Sequence, residues 1–393
     1  MITQKTTFIL GAGASMAYGF PSGKTLKALI WKKLELKTAF GVAKQRLPIQ
    51  LYLATDCNVY DWQAKEDFEE KVNKFRNDLI LSPDETIDYF LEHVNGEEYR
   101  KIGRLAIANI LLEREQEKYL FEDWMEYNSI EKNTLQQKFL EGTYVRPEDG
   151  HWYQFLFNQM CRECKSIDCF PKNNVSIITF NYDRSFEYYF LRSLMAKYKK
   201  TEQEAANILK QLPIVHVYGQ LGELPQLSLP SENKKKILSV PYNPLSIKGW
   251  SQRIDEYGKI TAEQQKYADS LKNAADGIQL IWDSPEKSPN IQKAQELIYS
   301  NDNRLVFLGF GFDPINLERI MPQSQISGNA HIMAYGTVFK LSKQRIQYLQ
   351  KKYIVQHASG YTQDFFHLME TEKSNLKNCN ISDFLFNSTE IFR

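Results

Sequence analysis

The stretch Thr6–Gly23, TTFILGAGASMAYGFPSG, decides the fold of this chain. A short apolar run that ends at Leu10 is followed at once by the segment Gly11–Ser15, GAGAS. This pattern predicts a buried strand, a tight glycine turn and the start of a helix. Glycine lets a backbone approach a ligand closely, and a helix start offers free N–H groups that suit a phosphate. The stretch therefore predicts a phosphate or dinucleotide site.

The same stretch also admits a plainer interpretation. Its spacing is G-x-G-x-x-x-A rather than G-x-G-x-x-G. No second strand ending in an acidic residue follows about 20 residues later, where the ribose-binding fingerprint would place one. A tight strand-to-helix turn without a ligand is therefore the structural alternative.

Composition and charge set limits on the class of protein. The chain has 393 residues, with 49 Lys and Arg against 48 Asp and Glu, and a formal net charge of +1. This balance gives no sign of a nucleic-acid-binding surface, so we expect no direct contact with nucleic acid. The mean hydropathy is −0.48, and no apolar run approaches the ~20 residues that span a membrane. The first residues, MITQK, lack the features of a signal peptide, which predicts a cytoplasmic protein.

The cysteines are few and unevenly placed. Five occur, and Cys161 and Cys164 form a single C-x-x-C pair with Cys169 nearby. An odd count without an export signal argues against a disulfide framework. A structural zinc site usually needs four ligands, and a second pair of ligands is missing. Reduced thiols are therefore favoured over zinc, and no metal is expected.

Short apolar runs rich in β-branched and aromatic residues are typical of strands covered on both faces of a parallel sheet. Segments with helical spacing separate these runs, so the chain is predicted to be α/β with a Rossmann-like, mostly parallel sheet. The predicted strands are Thr7–Leu10, Val175–Phe180, Ile214–Tyr218, Ile278–Trp282, Leu305–Leu308, Ile332–Tyr335 and Tyr353–Gln356.

The uneven spacing of these strands indicates large helical insertions. We expect them at about 31–150 and 184–212, within a single domain that spans 1–393. Inside the first insertion, the segment Ser82-Pro83-Asp84-Glu85 predicts a helix start with Ser82 as its N-cap.

The second predicted strand leads into the motif TFNYD, residues 179–183. Polar residues at the carboxyl end of a parallel strand face the ligand crevice of an open α/β sheet. Asn181 and Asp183 alternate with Tyr182 and are expected to project to one side. An amide and a carboxylate placed there could hold a ribose and orient a water. The alternative is that Asn181 and Asp183 cap a turn before a helix.

Two further motifs follow predicted strands. In HVYGQLG, His216 and Tyr218 are expected to share a strand face, and Gly219 closes the strand. His216 is a candidate general base, with a satisfied core histidine as the alternative. In FLGFGFD, Gly309 and Gly311 allow a second close backbone approach. A tight turn at the sheet edge is the alternative there.

In this order, GAGAS with PSG, TFNYD, HVYGQLG and FLGFGFD resemble the sirtuin-like NAD-binding fold, most closely the divergent sirtuin-like proteins of bacterial anti-phage defence. The resemblance extends from about Thr6 to Asn316, with gaps at the helical insertions. It implies Asn181, His216 and Asp183 as catalytic residues, with Asn181 and Asp183 next to the nicotinamide ribose. The residues implied to bind NAD are Gly11, Ala12, Gly13, Ser15, Pro21, Thr179, Tyr218, Gly219, Gly309 and Gly311.

The chain departs from deacylating sirtuins at three points. Their Pro-Asp-Phe-Arg element corresponds to Pro21-Ser22-Gly23-Lys24, and the second C-x-x-C pair is absent. Their catalytic His directly precedes Gly, whereas Tyr218 occupies that position here and His216 is the nearest His. We favour His216 over Tyr218 as the base, because tyrosine is a poor base at neutral pH.

The resemblance implies an NAD+ hydrolase that releases nicotinamide and ADP-ribose and acts as the toxic effector of an anti-phage abortive-infection system. NAD+ is then the substrate, and no metal is required. A regulatory module that binds NAD or ADP-ribose without turnover is the alternative, and protein deacylation is the third hypothesis. The resemblance further implies a homo-oligomer, with a HerA-like ATPase or a short Argonaute as companion and no membrane association.

Overall fold

A computed structural model of the chain describes residues 1–38, 45–94, 96–121, 151–228, 239–246, 260–281, 288–300, 303–322, 333–337, 344, 354–356, 362–364, 376–377, 379 and 381–392. The strands are β1 (Thr6–Leu10), β2 (Lys37–Thr38), β3 (Gln45–Arg46), β4 (Val175–Thr179), β5 (Ile214–His216), β6 (Arg304–Leu308), β7 (Met333–Thr337), β8 (Ile354–Gln356), β9 (Thr362–Asp364) and β10 (Leu376–Lys377).

The helices lie mainly between β1 and β4 and between the later strands of the sheet. They are α1 (Ala12–Met16), α2 (Gly23–Lys33), α3 (Ile49–Ala54), α4 (Trp62–Leu81), α5 (Ile87–His93), α6 (Glu97–Arg114), α7 (Glu117–Phe121), α8 (Trp152–Met160), α9 (Ser185–Tyr198), α10 (Glu202–Leu209), α11 (Ala262–Gly277), α12 (Pro289–Ile298), α13 (Pro314–Ile320) and α14 (Ile381–Asn387). Short 3-10 helices cover Ile167–Lys172, Pro244–Ser246 and Thr389–Phe392.

Six strands form one sheet in which every neighbouring pair is parallel. Their order is β10-β7-β6-β1-β4-β5. Numbered along the chain within this sheet, the order is 3-2-1-4-5-6 read from the β5 edge, which is the order of dinucleotide-binding folds. The order reverses between β1 and β6, and ligands of such sheets bind at the carboxyl ends of the strands around that point. The predicted α/β, Rossmann-like fold with helical insertions is confirmed.

The register of the strands brings the four predicted motifs to one edge of the sheet. Leu10 is paired with Thr179 on one side and with Leu308 on the other, and Thr179 is paired with His216. The segments that follow these residues therefore leave the sheet side by side. β1 and β4 are buried at every position, as expected for strands covered on both faces.

One predicted strand, Ile278–Trp282, is wrong. Helix α11 continues to Gly277, and Ile278 makes only an isolated antiparallel bridge to Gly219. Ile278 and Leu280 are nevertheless buried, so this apolar run fills core space without joining the sheet. Periodicity alone does not separate such a buried segment from a strand. Trp282 lies outside the described residues.

The other predicted strands shift only at their ends or in their partners. The strand predicted at Val175–Phe180 ends one residue early, and that predicted at Ile214–Tyr218 ends at His216. β7 begins at Met333, and Ile332 lies outside the described residues. β8 pairs with β9 in a separate antiparallel sheet, and Tyr353 is likewise outside the description.

The insertions are helical, as predicted. The first contains α3 to α7 and a short antiparallel pair, β2 with β3, while 122–150 lie outside the described residues. The second contains α9 and α10, which connect β4 to β5. The predicted N-cap at Ser82 is wrong, because α4 runs on to Leu81 and Ser82 is its C-cap. Thr86 caps α5 instead, with its side chain accepting the N–H of Tyr89.

Buried apolar side chains from both ends of the described chain form one contiguous hydrophobic core. Thr7 in β1 is a polar group inside it, and it shares hydrogen bonds with Ser176 at 2.8 Å and with Asn303 at 3.1 Å. None of the described helices has both the length and the apolar character needed to cross a membrane.

Candidate functional site

The two glycine turns lie directly against each other at the carboxyl ends of β1 and β6. The N–H of Gly13 donates to the carbonyl oxygen of Gly309 at 2.9 Å. Gly309 has a φ of +57°, and a Cβ built on it would lie 2.2 Å from the amide nitrogen of Ala14. These glycines therefore allow the backbones of the two turns to pack directly against each other.

The outer rim of this junction is open. Ala12 and Gly311 are exposed, and a Cβ on Gly311 would meet no atom within 4 Å. Helix α1 has only five residues, and the N–H groups of Gly13 and Ala14 already have acceptors. The N–H of Ala12 has no acceptor in the part of the chain that the structure describes. The predicted phosphate contact of Gly11–Ser15 therefore depends on Ala12.

Asn181 joins the TFNYD motif to the first glycine turn. Its Nδ2 donates to the carbonyl oxygen of Gly11 at 3.0 Å and to Oγ of Ser15 at 2.9 Å. Its backbone N–H donates to Oγ1 of Thr179 at 3.1 Å. Because a carbonyl oxygen only accepts, the amide nitrogen must face Gly11, which fixes the orientation of the amide. Oδ1 of this half-buried side chain has no donor among the described residues and is a positioned acceptor.

Asp183 belongs to the same hydrogen-bond network and is buried. Its Oδ1 accepts the N–H of Ser185 at 3.1 Å and also the hydroxyl group of Ser185. The hydroxyl group of Ser15 lies close enough to the carboxylate to lower its pKa. Burial raises the pKa of Asp183, while the bonds from Ser185 and Ser15 oppose that rise. Asp183 also accepts the first backbone N–H of α9, whose N-cap is Arg184.

His216 lies at the end of β5, and both of its ring nitrogens are engaged. Nδ1 lies 2.8 Å from the carbonyl oxygen of Asn181 and must donate to it. Nε2 lies 2.5 Å from Oε1 of Glu187. Burial lowers the pKa of His216, but the charge and hydrogen bond of Glu187 outweigh burial, so this pKa lies above its usual value. The ring is held between the backbone of Asn181 and the side chain of Glu187.

The role of general base predicted for His216 requires more than this arrangement offers. A general base needs a free lone pair, and neither ring nitrogen of His216 has one in this arrangement. What His216 does is link the buried Glu187 to the backbone of Asn181. Its contribution to the site is to position Asn181.

These polar groups surround a small cavity below the carboxyl ends of β1, β4 and β5. Its volume is about 10 Å³ for the centre of a water-sized sphere, which is room for one water molecule. Its polar walls come from Ser15, Tyr153, Thr179, Asn181, Asp183 and Glu187. The cavity has room for a single water and is too small for a dinucleotide.

Tyr218 faces a different helix, α13. The prediction that His216 and Tyr218 share a strand face is wrong, because β5 ends at His216 and residues 217–219 turn. The hydroxyl group of Tyr218 donates to Oδ1 of Asn316 at 2.5 Å and accepts from Nη1 of Arg319 at 3.2 Å. Burial raises the pKa of Tyr218 to about 12, although Arg319 acts in the opposite direction. Tyr218 is therefore protonated at neutral pH and cannot act as a base.

Two other residues implied to bind NAD have packing roles in the structure. Gly219 has a φ of +71°, and a Cβ on it would lie 2.1 Å from the carbonyl oxygen of Gly277 at the end of α11. Pro21 is buried just before Ser22, the N-cap of α2. Packing within the chain therefore explains why glycine occurs at position 219 and proline at position 21, without a ligand.

Asp88 lies near Tyr218, and burial disfavours the charged form of its carboxyl group. It accepts the hydroxyl group of Tyr182 at 3.3 Å, yet burial raises its pKa to about 6. The folded state then binds the Asp88 proton more tightly than the unfolded state, so stability falls as pH rises from about 4 to about 6. We expect Asp88→Asn to raise the free energy of unfolding by about 2 kcal/mol at pH 7, allowing for partial exposure, and to change it little at pH 4. Urea unfolding at both pH values measures this, and an equal effect at both would contradict it.

The network contains three residues that the motif analysis missed: Tyr153, Ser185 and Glu187. A signal for Glu187 was available, since it lies four residues after Asp183 and therefore on the same side of the helix start. No local pattern indicates Tyr153, whose hydroxyl group reaches Ser185 from α8 at 2.8 Å. That contact depends on the packing of α8 against α9.

The cysteine cluster shows no metal geometry. Cys161 and Cys164 are buried free thiols, and burial raises the pKa of Cys161. In the described ranges, no group of three or more His, Cys, Asp or Glu side chains could hold a metal ion.

No protein-family model matches the chain, and no curated protein matches it either. Functional inference therefore depends on the strand order of the sheet and on the groups gathered at its carboxyl edge.

Proposed function

We propose that this chain hydrolyses NAD+, releasing nicotinamide and ADP-ribose. The observation that carries the proposal is the amide of Asn181, fixed through Gly11 and Ser15 with Oδ1 left as an acceptor. This amide lies beside the strand-order reversal, where dinucleotides bind in sheets of this order. The sequence resemblance to sirtuin-like proteins supports the same activity.

The proposed reaction needs little from the protein beyond orientation. The nicotinamide–ribose bond breaks through an oxocarbenium-like state, as in other glycoside cleavages. The pyridinium ring takes the bonding electron pair and leaves as neutral nicotinamide. Water then adds to the ribose carbon and loses a proton, so the products are nicotinamide, ADP-ribose and H⁺.

Asn181 orients the attacking water in this proposal. Its Oδ1 accepts a hydrogen bond from a water in the adjoining cavity, which supplies orientation rather than proton transfer. Glu187 also lines the cavity but is paired with His216. Asp183 is then the group that accepts the proton, and the raised pKa of its carboxyl group favours that role.

The dinucleotide lies outside the cavity, across the strand ends and over the exposed rim of the two glycine turns. Ala12 offers its N–H to the pyrophosphate, and Gly311 gives room for the adenosine ribose. The rings of Phe180 and Phe310 meet across this edge with centroids 5.0 Å apart.

Nicotinamide release tests this proposal. The purified chain is incubated with NAD+, alone and with the product of its neighbouring gene, and both products are measured by chromatography. We expect equimolar nicotinamide and ADP-ribose in at least one of the two assemblies. NAD+ that remains intact in both would contradict the proposal.

A module that binds NAD or ADP-ribose without turnover is the second candidate. The fully engaged ring of His216 and the one-water cavity favour it. Saturable binding of NAD+ or ADP-ribose by calorimetry, without nicotinamide release in any assembly, would support this module. Protein deacylation is the third candidate, and loss of NAD+ only in the presence of an acylated peptide would identify it.

The sequence resemblance carries the proposed biological role. The chain acts as the toxic effector of an anti-phage abortive-infection system in the cytoplasm, because depletion of NAD+ stops the infected cell. Such an activity must stay off until it is triggered. We propose control by homo-oligomer assembly or by a companion protein, a HerA-like ATPase or a short Argonaute.

A further inference from the structure

Tyr153 is the part of the one-water cavity wall that α8 supplies. It is buried, and its ring stacks on Tyr18, with centroids 3.8 Å apart and an interplanar angle of 9°. The backbone N–H of Tyr153 also donates to the hydroxyl oxygen of Tyr18 at 2.8 Å. Because Tyr18 belongs to the segment that follows the first glycine turn, these contacts hold the Tyr153 hydroxyl group in a fixed place beside that turn.

The hydrogen bonds around Ser185, the first residue of α9, run in one direction. Its backbone N–H and its hydroxyl group both donate to Oδ1 of Asp183. A carboxylate only accepts, so the single hydroxyl hydrogen of Ser185 is used in that bond. The Tyr153 hydroxyl group lies 2.8 Å from Oγ of Ser185 and must be the donor there. Two hydroxyl groups therefore point in series from α8 to the carboxylate of Asp183.

The Tyr153 hydroxyl group keeps its hydrogen in this environment. Burial raises the pKa of Tyr153 well above its usual value, and the charge of Asp183 adds to that rise. A tyrosine in this state is protonated at neutral pH. It is thus able to donate to Ser185, as the series requires.

The surroundings of Asp183 disfavour the charged form of its carboxyl group. Burial raises its pKa, and the charge of Glu187 acts in the same direction. The basic side chains nearby are engaged elsewhere: His216 is bonded to Glu187. Arg184 is paired with Glu115. The titratable groups within electrostatic reach of Asp183 in the described chain are Tyr153, Glu187, His216, Glu115 and Tyr242. Hydrogen bonds to the carboxylate are therefore what stabilise its charged form.

We propose that Tyr153 and Ser185 are positioning residues for the proposed reaction, forming a two-hydroxyl relay that keeps Asp183 ionised and able to accept the proton of the attacking water. The catalytic consequence rests on the proposed function. Hydrogen bonds in series strengthen one another, so the donor behind Ser185 makes its own bond to the carboxylate stronger. The relay thus adds to the site a residue of α8 that none of the four motifs contains.

The pH dependence of nicotinamide release tests the relay. Asp183 accepts a proton only when it is ionised, so the wild-type rate should fall on the acid side of its pKa. Ser185→Ala removes the direct hydroxyl donor and should move this acid limb up by about 1 pH unit. Tyr153→Phe keeps the ring on Tyr18 and should move the limb in the same direction by less. The loss of rate should appear in kcat rather than in KM.

The double variant Tyr153→Phe/Ser185→Ala distinguishes a relay from two separate effects. Because the relay places Tyr153 behind Ser185, the double variant should show the shift of Ser185→Ala alone. Tyr267→Phe is the matched control, since its buried hydroxyl group donates to Oδ1 of Asn109 at 3.0 Å, outside the cavity lining. It should lower the melting temperature and leave the pH profile unchanged. An unmoved acid limb in either single variant, or shifts that add in the double variant, would overturn the inference.

A direct titration of Asp183 separates this inference from the proposed function. Aspartate labelled with carbon-13 in its carboxyl group is followed by NMR against pH, and Asp183→Asn identifies the signal of Asp183. The midpoint should rise in Ser185→Ala and, by less, in Tyr153→Phe, whether or not the chain cleaves NAD+. Unchanged midpoints would overturn the relay. Wild-type protein that releases no nicotinamide in either assembly would instead contradict the proposed function, and the titration would still decide the relay.

Discussion

Arg184→Met is expected to lower the free energy of unfolding by about 3–5 kcal/mol. The side chains of Arg184 and Glu115 are only 1% and 0% exposed. Nε of Arg184 donates to one carboxylate oxygen at 3.0 Å, and Nη2 donates to the other. Without the guanidinium, the Glu115 carboxylate is left buried and uncompensated, and burial already raises its pKa. The carbonyl oxygens of Gly222 and Val240 also lose their donor.

Urea unfolding followed by circular dichroism measures this loss. Lys200→Met is the matched control, because its pair with Glu204 is 38% and 49% exposed and therefore contributes little to stability. The double variant Arg184→Met/Glu115→Leu should recover most of the loss, since it removes both buried charges. A loss no larger than that of Lys200→Met would show that the buried pair does not support the fold.

Asn181→Ala is expected to lower the rate of nicotinamide release by about 100-fold or more. The substitution removes the oxygen that orients the water and the two N–H bonds that fix it on Gly11 and Ser15. Asn181 is half-buried, so the loss of stability should stay near 1 kcal/mol. Product formation by chromatography and a urea titration of the same sample separate the two effects.

Asn207→Ala is the control for this variant, since Asn207 lies exposed on α10 and bonds only to Gln203 and Gln211 among the described residues. It should release nicotinamide at the wild-type rate. His216→Ala is a poorer test of catalysis than the motif suggested. It leaves the Glu187 carboxylate buried without its partner, so it is expected to destabilise the fold as well.

The sheet and the motifs at its carboxyl edge could be predicted from local patterns. The run into Gly11 and the run into Gly309 each combine a buried apolar strand with glycines, and both strands form as expected. Asn181 and Asp183 follow a strand whose neighbours in the sheet were unknown. Parallel pairing brings their motif to the first glycine turn. Hydrophobic periodicity and residue composition are enough to locate the strands and the turns that follow them.

The partners of individual side chains could not be predicted in the same way. His216 was identified as a base from its residue type, but its role is set by Glu187, which reaches it from α9. The glycines were expected to approach a ligand, and they approach each other. Tyr218 was placed beside His216 by strand alternation, which fails where the strand ends. Each of these outcomes depends on tertiary packing, which a short sequence window does not contain.

Nicotinamide release by Asn181→Ala, compared with wild type in the same assembly and at the same NAD+ concentration, tests the central claim most directly. We expect wild-type protein to convert NAD+ into equimolar nicotinamide and ADP-ribose, and the folded variant to release almost none. Release by Asn181→Ala at the wild-type rate would contradict the claim that this amide orients the attacking water.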